Sequence, residues 1–152
     1  MKPLLTLILL ITATQTTFSQ DKNELLLKAV ADGDKEAVVQ LIKEGADVNY
    51  VKTVGAWMKM NPLITAITNK HFDIARVLIE NNTDVNWKDG FNTSAILYAA
   101  SSGNRELVAL LLSHGADIND HDGQGNTVLT AAKESKNKDL INFVKKKVAA
   151  EK

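Results

Sequence analysis

The sequence predicts an all-α repeat protein: a solenoid of about four helix–turn–helix units with hairpin-like fingers between them. Three observations predict it. A five-residue string appears at Gly45–Asn49 (GADVN), Asn82–Asn86 (NTDVN) and Gly115–Asn119 (GADIN), first 37 and then 33 residues apart. One alanine (Ala29, Ala66, Ala99, Ala132) and one aliphatic residue (Leu41, Leu78, Leu111, Val144) recur at steps of 37, 33 and 33. The residues between each alanine and its aliphatic partner carry helical apolar spacing. A period of this size marks stacked units, whose function lies on a surface rather than in a buried active site. The longer first step places a four-residue insertion between the first two strings.

At the N-terminus, Lys2 precedes the apolar stretch Leu4–Ile11, then Thr12–Thr17, Phe18 and Ser19. A basic start, a short apolar core and small residues at a cut point describe a cleavable export signal over 1–19, with the cut after Ser19. The apolar core is too short to span a bilayer, which takes roughly 20 residues. The repeat domain is therefore expected over 20–152, with units at about 24–56, 57–89, 90–122 and 123–148, as a periplasmic or secreted monomer.

The third unit shows the logic of each repeat. Ile96, Ala99 and Ala100 share one helical face, and Gly103-Asn104 breaks the run. Leu107, Val108, Leu111 and Leu112 form the stripe of a second helix, which Gly115 ends. Asp117 and Asn119 open a turn-rich connection that continues through Asp122–Asn126. The last unit should be polar on its outer side. It places Lys145 where Ile42, Ile79 and Leu112 stand, and Lys146 and Lys147 follow.

These residues resemble the ankyrin repeat family over about residues 24–148. The family pattern runs D-x-x-G-x-T-P-L-H-x-A-A, G-x-x-x-x-V-x-x-L-L, G-A-D-V-N. The chain keeps Asp122, Gly125, Thr127, Leu129 and Ala131-Ala132, then Ala99-Ala100, Gly103, Val108, Leu111-Leu112 and Gly115–Asn119. It also keeps Pro62-Leu63, Ala66, Leu78-Ile79 and Asp84–Asn86, and Ala29, Gly33, Val38 and Leu41-Ile42. The T-P-L-H signature departs at Asn61–Ile64, Ser94–Leu97 and Thr127–Thr130, and the helix-linking glycine becomes Lys70 and Lys136. The resemblance implies a protein–protein interaction module that uses its finger tips and inner helices as a concave surface.

Composition narrows the function classes. The 152 residues carry 18 basic and 18 acidic side chains, and the export signal holds one of the basic ones, Lys2. Near-neutrality disfavours nucleic acid and a membrane surface as partners. The absence of cysteine removes thiol catalysis and any disulfide framework. The densest polar cluster is His114, Asp117, Asn119, Asp120, His121 and Asp122, a candidate for a metal-dependent enzyme. A calcium loop beginning at Asp120 needs a bidentate glutamate where Ala131 stands. We therefore expect no catalytic residue, no metal and no cofactor.

Binding is the stronger expectation. The finger tips fall at Tyr50–Met60, Trp87–Thr93 and Asp120–Asn126. The first carries Tyr50, Trp57, Met58 and Met60, and the second Trp87 and Phe91. Aromatics and methionines in segments whose pattern asks for polar turns are interface candidates. Tyr98 and Ser101 of an inner helix and Gln124 of the third finger complete the partner-binding set. Two arrangements stay open: Trp57 and Met58 face solvent, or they fold back onto Trp87. An inhibitor of the immunity type, seated on a toxin or enzyme, would use the same surface.

Overall fold

The computed structural model describes residues 22–151. The expected export signal over 1–19 lies outside the described residues. A first helix, α1, covers 22–32. After it come α2 (Lys35–Lys43), a hairpin of β1 (Lys52–Val54) and β2 (Met58–Met60), α3 (Pro62–Thr68), α4 (Phe72–Glu80), α5 (Ala95–Ser101), α6 (Arg105–Ser113), α7 (Val128–Glu134) and α8 (Lys138–Ala150). The odd-numbered helices form one layer and the even-numbered ones the other. In the odd layer α3 packs on α5 and α5 on α7; in the even layer α2 packs on α4, α4 on α6 and α6 on α8. The first finger straddles the expected unit boundary at 56/57, and α8 runs past the expected end at 148.

The repeated residues form the seam. Ala66, Ala99 and Ala132 are fully buried, as are Leu78, Leu111 and Val144. Without a side chain beyond Cβ, each alanine lets the short inner helix approach its neighbours. The aliphatic side chains of the outer helices fill the space between units, at about 1.5–3 kcal/mol per fully buried side chain. Leu41 of the first unit is only half-buried, because no described unit covers its outer side.

Recurrent backbone geometry ties the units together. Gly33, Lys70, Gly103 and Lys136 each join the two helices within one unit, with φ of 77°, 62°, 76° and 59°. The two lysines thus hold a left-handed conformation that glycine adopts at no steric cost. Each D-x-N string closes a turn on the aspartate: the amides of Asn49, Asn86 and Asn119 donate to Asp47, Asp84 and Asp117 at 2.8, 3.0 and 2.8 Å. Asn49 then reaches the next unit, its Oδ1 accepting from the Asp84 amide at 2.7 Å.

Two of the three altered T-P-L-H positions still cap their inner helices. Asn61 accepts from the Ile64 amide at 2.8 Å. Thr127 and Thr130 cap each other reciprocally. Ser94 makes no cap and instead donates to Asp120. His71 begins α4 without a side-chain cap, and its ring lies over Gly33, where an added Cβ would stand 2.7 Å from its Cε1. At the far end Lys145, Lys146 and Lys147 are exposed, and the Arg105 guanidinium stacks over Phe143 at 4.7 Å.

Candidate functional surface

The four extra residues lengthen the first finger into a true hairpin, with Lys52 opposite Met60 and Val54 opposite Met58. The other two fingers close with a single bridge each, Lys88 to Ser94 and His121 to Thr127. Gly55 turns the hairpin with φ of 66°, which leaves Trp57 at the tip. At its base Glu24 anchors the hairpin by accepting from the Tyr50 hydroxyl at 2.6 Å and from the Lys52 ammonium. The hydrogen bond from Lys52, then that from Tyr50, lowers the Glu24 carboxyl below its ordinary range, and the Tyr50 phenol is raised in turn.

Aspartates build the second and third fingers. Asp89 Oδ1 accepts from the amides of Phe91 (2.8 Å) and Thr93 (3.0 Å), and its Oδ2 accepts from the Tyr98 hydroxyl at 2.6 Å. Burial and this bond push the Tyr98 phenol well above its usual value. One period later Asp122 Oδ1 accepts from the amides of Gln124 (2.8 Å) and Asn126 (2.9 Å). Its carboxyl is lowered, first by the Asn126 side chain.

The fingers also lock onto one another. The Gly123 amide donates to the Phe91 carbonyl at 3.1 Å. An added Cβ on Gly90 would stand 2.1 Å from the Trp57 carbonyl oxygen, so the tip of the first finger rests on the bare backbone of the second. Between the second and third fingers, Asp120 accepts from the Lys88 ammonium, the buried Ser94 hydroxyl and the His121 amide. Burial raises the Asp120 carboxyl, but the bonds from Lys88 and Ser94 outweigh it and the net shift is downward.

Two of the grooves between the fingers and the inner helices flank the second finger. One, of about 240 Å³, runs between the second and third units and is lined by Met58, Lys59, Met60, Ile64, Asp89 and Phe91, among others. The other, of about 280 Å³, lies between the third and fourth units, against Leu97, Ser101, Asp122, Gln124, Ala131 and Glu134. Phe91 and Tyr98 line both grooves and form the ridge between them.

The sequence-predicted residues divide accordingly. Trp57 (83% exposed), Met58 (52%) and Phe91 (67%) face solvent. Ser101 and Gln124 are exposed too, and both line the larger groove. Tyr50, Met60, Trp87 and Tyr98 are half-buried, with Trp87 and Tyr98 packed against the core. The Trp57 ring therefore does not fold back onto Trp87; its backbone makes the contact at Gly90 instead. Asp89, Thr93, Leu97 and Glu134 line the grooves without having been singled out, since each fits an ordinary turn or helix position of the repeat.

The polar cluster at His114–Asp122 is occupied internally. Asp117 and Asp122 cap their own turns, and Asp120 joins fingers. His114 Nδ1 lies 3.0 Å from the Leu110 carbonyl. Among the described residues no three His, Cys, Asp or Glu side chains gather to hold a metal, and no helix is long and apolar enough to cross a membrane.

A family model described as ankyrin repeats (3 copies) matches residues 3–89 and 81–152. A 2-5A-dependent ribonuclease of Homo sapiens is 32% identical over 87 residues, which are 57% of this chain and 11% of that protein. A putative E3 ubiquitin-protein ligase of Arabidopsis thaliana, XBAT34, is 34% identical over 85 residues, 55% of this chain and 22% of the other. A putative ankyrin repeat protein of Borreliella burgdorferi is 29% identical over 86 residues, 57% and 36% of the two chains. The match thus spans well under two thirds of each relative's length. Ankyrin repeats are generally protein–protein interaction modules, and with the family pattern matched through the stacked helix pairs and their fingers, the chain belongs to the ankyrin repeat family.

Proposed function

We propose that the protein is a non-enzymatic, monomeric binding module that acts outside the cytoplasm and docks one protein partner across its fingers and inner-helix grooves. One observation carries this reading: Trp57, Met58 and Phe91 stand exposed on adjacent fingers, beside two grooves that share Phe91 and Tyr98. Large exposed aromatics at the rim of a concave apolar surface are the side chains that anchor partners. The polar groups near them are engaged in building the fingers, as Asp89 and Asp122 are, which suits a rigid docking surface better than a reacting site. Export is supported by Lys2, the apolar stretch Leu4–Ile11 and the small residues Thr17 and Ser19.

The experiment is capture from the periplasm of the exporting cell, with a tagged chain starting at Gln20 as bait. Trp57→Ala and Phe91→Ala are each expected to weaken binding by about 1 kcal/mol or more while the helical signal is kept. Equal capture by wild type and both folded variants would move the interface off the fingers. N-terminal sequencing of the exported chain tests the cut after Ser19, and a start at Met1 would overturn the export reading.

A further inference from the structure

The two grooves differ in charge. The smaller one is balanced, with Lys59 on one wall and Asp89 on the other. The larger one, between the third and fourth units, is lined by two carboxylates, Asp122 and Glu134, and by no cation. Its remaining wall is mixed: Phe91, Leu97, Tyr98 and Ala131 give it an apolar and aromatic side, and the uncharged Thr93, Ser101, Gln124 and Asn126 a polar one. Asp122 is committed to its finger, where its Oδ1 and Oδ2 accept from Gln124 and Asn126. Glu134 is exposed, and its carboxylate has neither a hydrogen bond nor an ion pair among the described residues. At about 280 Å³ the groove falls just under the usual size of small-molecule pockets, roughly 300–1,000 Å³. It suits one long side chain.

We propose that the partner's docking segment seats an arginine in this groove, flanked by apolar residues, with the guanidinium between the Phe91 ring and the Glu134 carboxylate. The inference rests on the docking reading above and adds the chemistry of the partner. Arginine matches the site in three ways. Its stem lies on apolar surface. Its planar head stacks on an aromatic face. Its fork of donors meets a carboxylate in two places. Lysine offers a point charge without the stacking plane.

The test uses three synthetic peptides on the isotopically labelled chain from Gln20, followed by amide NMR. They are acetyl-Gly-Ser-Leu-Arg-Leu-Ser-Gly-amide and its analogues with citrulline or glutamate in place of arginine. The arginine peptide is expected to move the amides of Phe91, Ser101 and Gln124, and to bind about five-fold or more tightly than the citrulline peptide. Glu134→Gln, which touches no finger hydrogen bond, is expected to erase that preference and leave the apolar contribution. Equal affinity of the arginine and citrulline peptides at the groove overturns the inference and leaves the docking reading standing. Perturbation centred elsewhere, or none from any peptide, also overturns it. The docking reading fails separately, through Phe91→Ala capture.

Discussion

At the scale of single residues, the repeat shows where it departs from its best local chemistry. Lys70 and Lys136 hold φ near 60° at the link where Gly33 and Gly103 stand in the other units. A non-glycine residue there carries roughly 1 kcal/mol of steric cost. Lys70→Gly and Lys136→Gly are each expected to raise stability by up to about 1 kcal/mol in urea unfolding, the entropic freedom of glycine in the unfolded chain offsetting part of the gain. A loss at both positions would show that the lysines make contacts outweighing the strain. Leu111 is a different case. It is fully buried in the seam, so Leu111→Ala leaves a cavity and should cost about 2–5 kcal/mol. A surface-sized effect there would contradict the register of the whole repeat.

At the scale of elements, the fingers behave as an interlocked row. The Trp57 carbonyl occupies the space a side chain on Gly90 would need. Gly90→Ala is therefore expected to shift the first hairpin, to cost about 1–3 kcal/mol by overpacking, and to change Trp57 fluorescence without melting the helices. Unchanged fluorescence and stability would mean that the fingers do not rest on each other. The second and third fingers meet through Asp120, whose carboxyl is held below its ordinary range. A lowered carboxyl stabilises the fold above its unfolded value of about 3.9, and that contribution fades as pH falls through the lower folded value. Asp120→Asn is expected to cost about 1–3 kcal/mol at neutral pH, and to lose less further stability than wild type on acidification below about pH 4. Parallel acid profiles would remove Asp120 as a link. The hairpin itself was only partly legible. The four-residue insertion at Tyr50–Met60 marked a longer finger, but Lys52–Val54 and Met58–Met60 show no clear apolar alternation. Their pairing is set by the Gly55 turn and by contacts with Glu24 and Gly90, which are distant in sequence.

At the scale of the whole molecule, the buried seam and the proposed docking surface lie in different parts of the stack. The seam runs through the interior as a row of alanines and aliphatics, and it was legible because the same side chains recur at each step. A stack of this kind holds by neighbour contacts, so damage in one unit loosens its neighbours first. The proposed docking surface takes its aromatics from the sequence pattern: Trp57 and Phe91 break a polar turn pattern, and Tyr98 lies on an inner helix beside them. Its walls were not legible there, because Asp89, Leu97 and Glu134 each satisfy the repeat and are brought to one place only by stacking. The direct test of the proposed docking surface is hydrogen exchange on the complex with the captured partner. Protection is expected at residues 53–60, 89–93, 98–102 and 122–126, with little change on α4 and α6. Protection concentrated on α4 and α6, with the fingers exchanging as in the free chain, would contradict it.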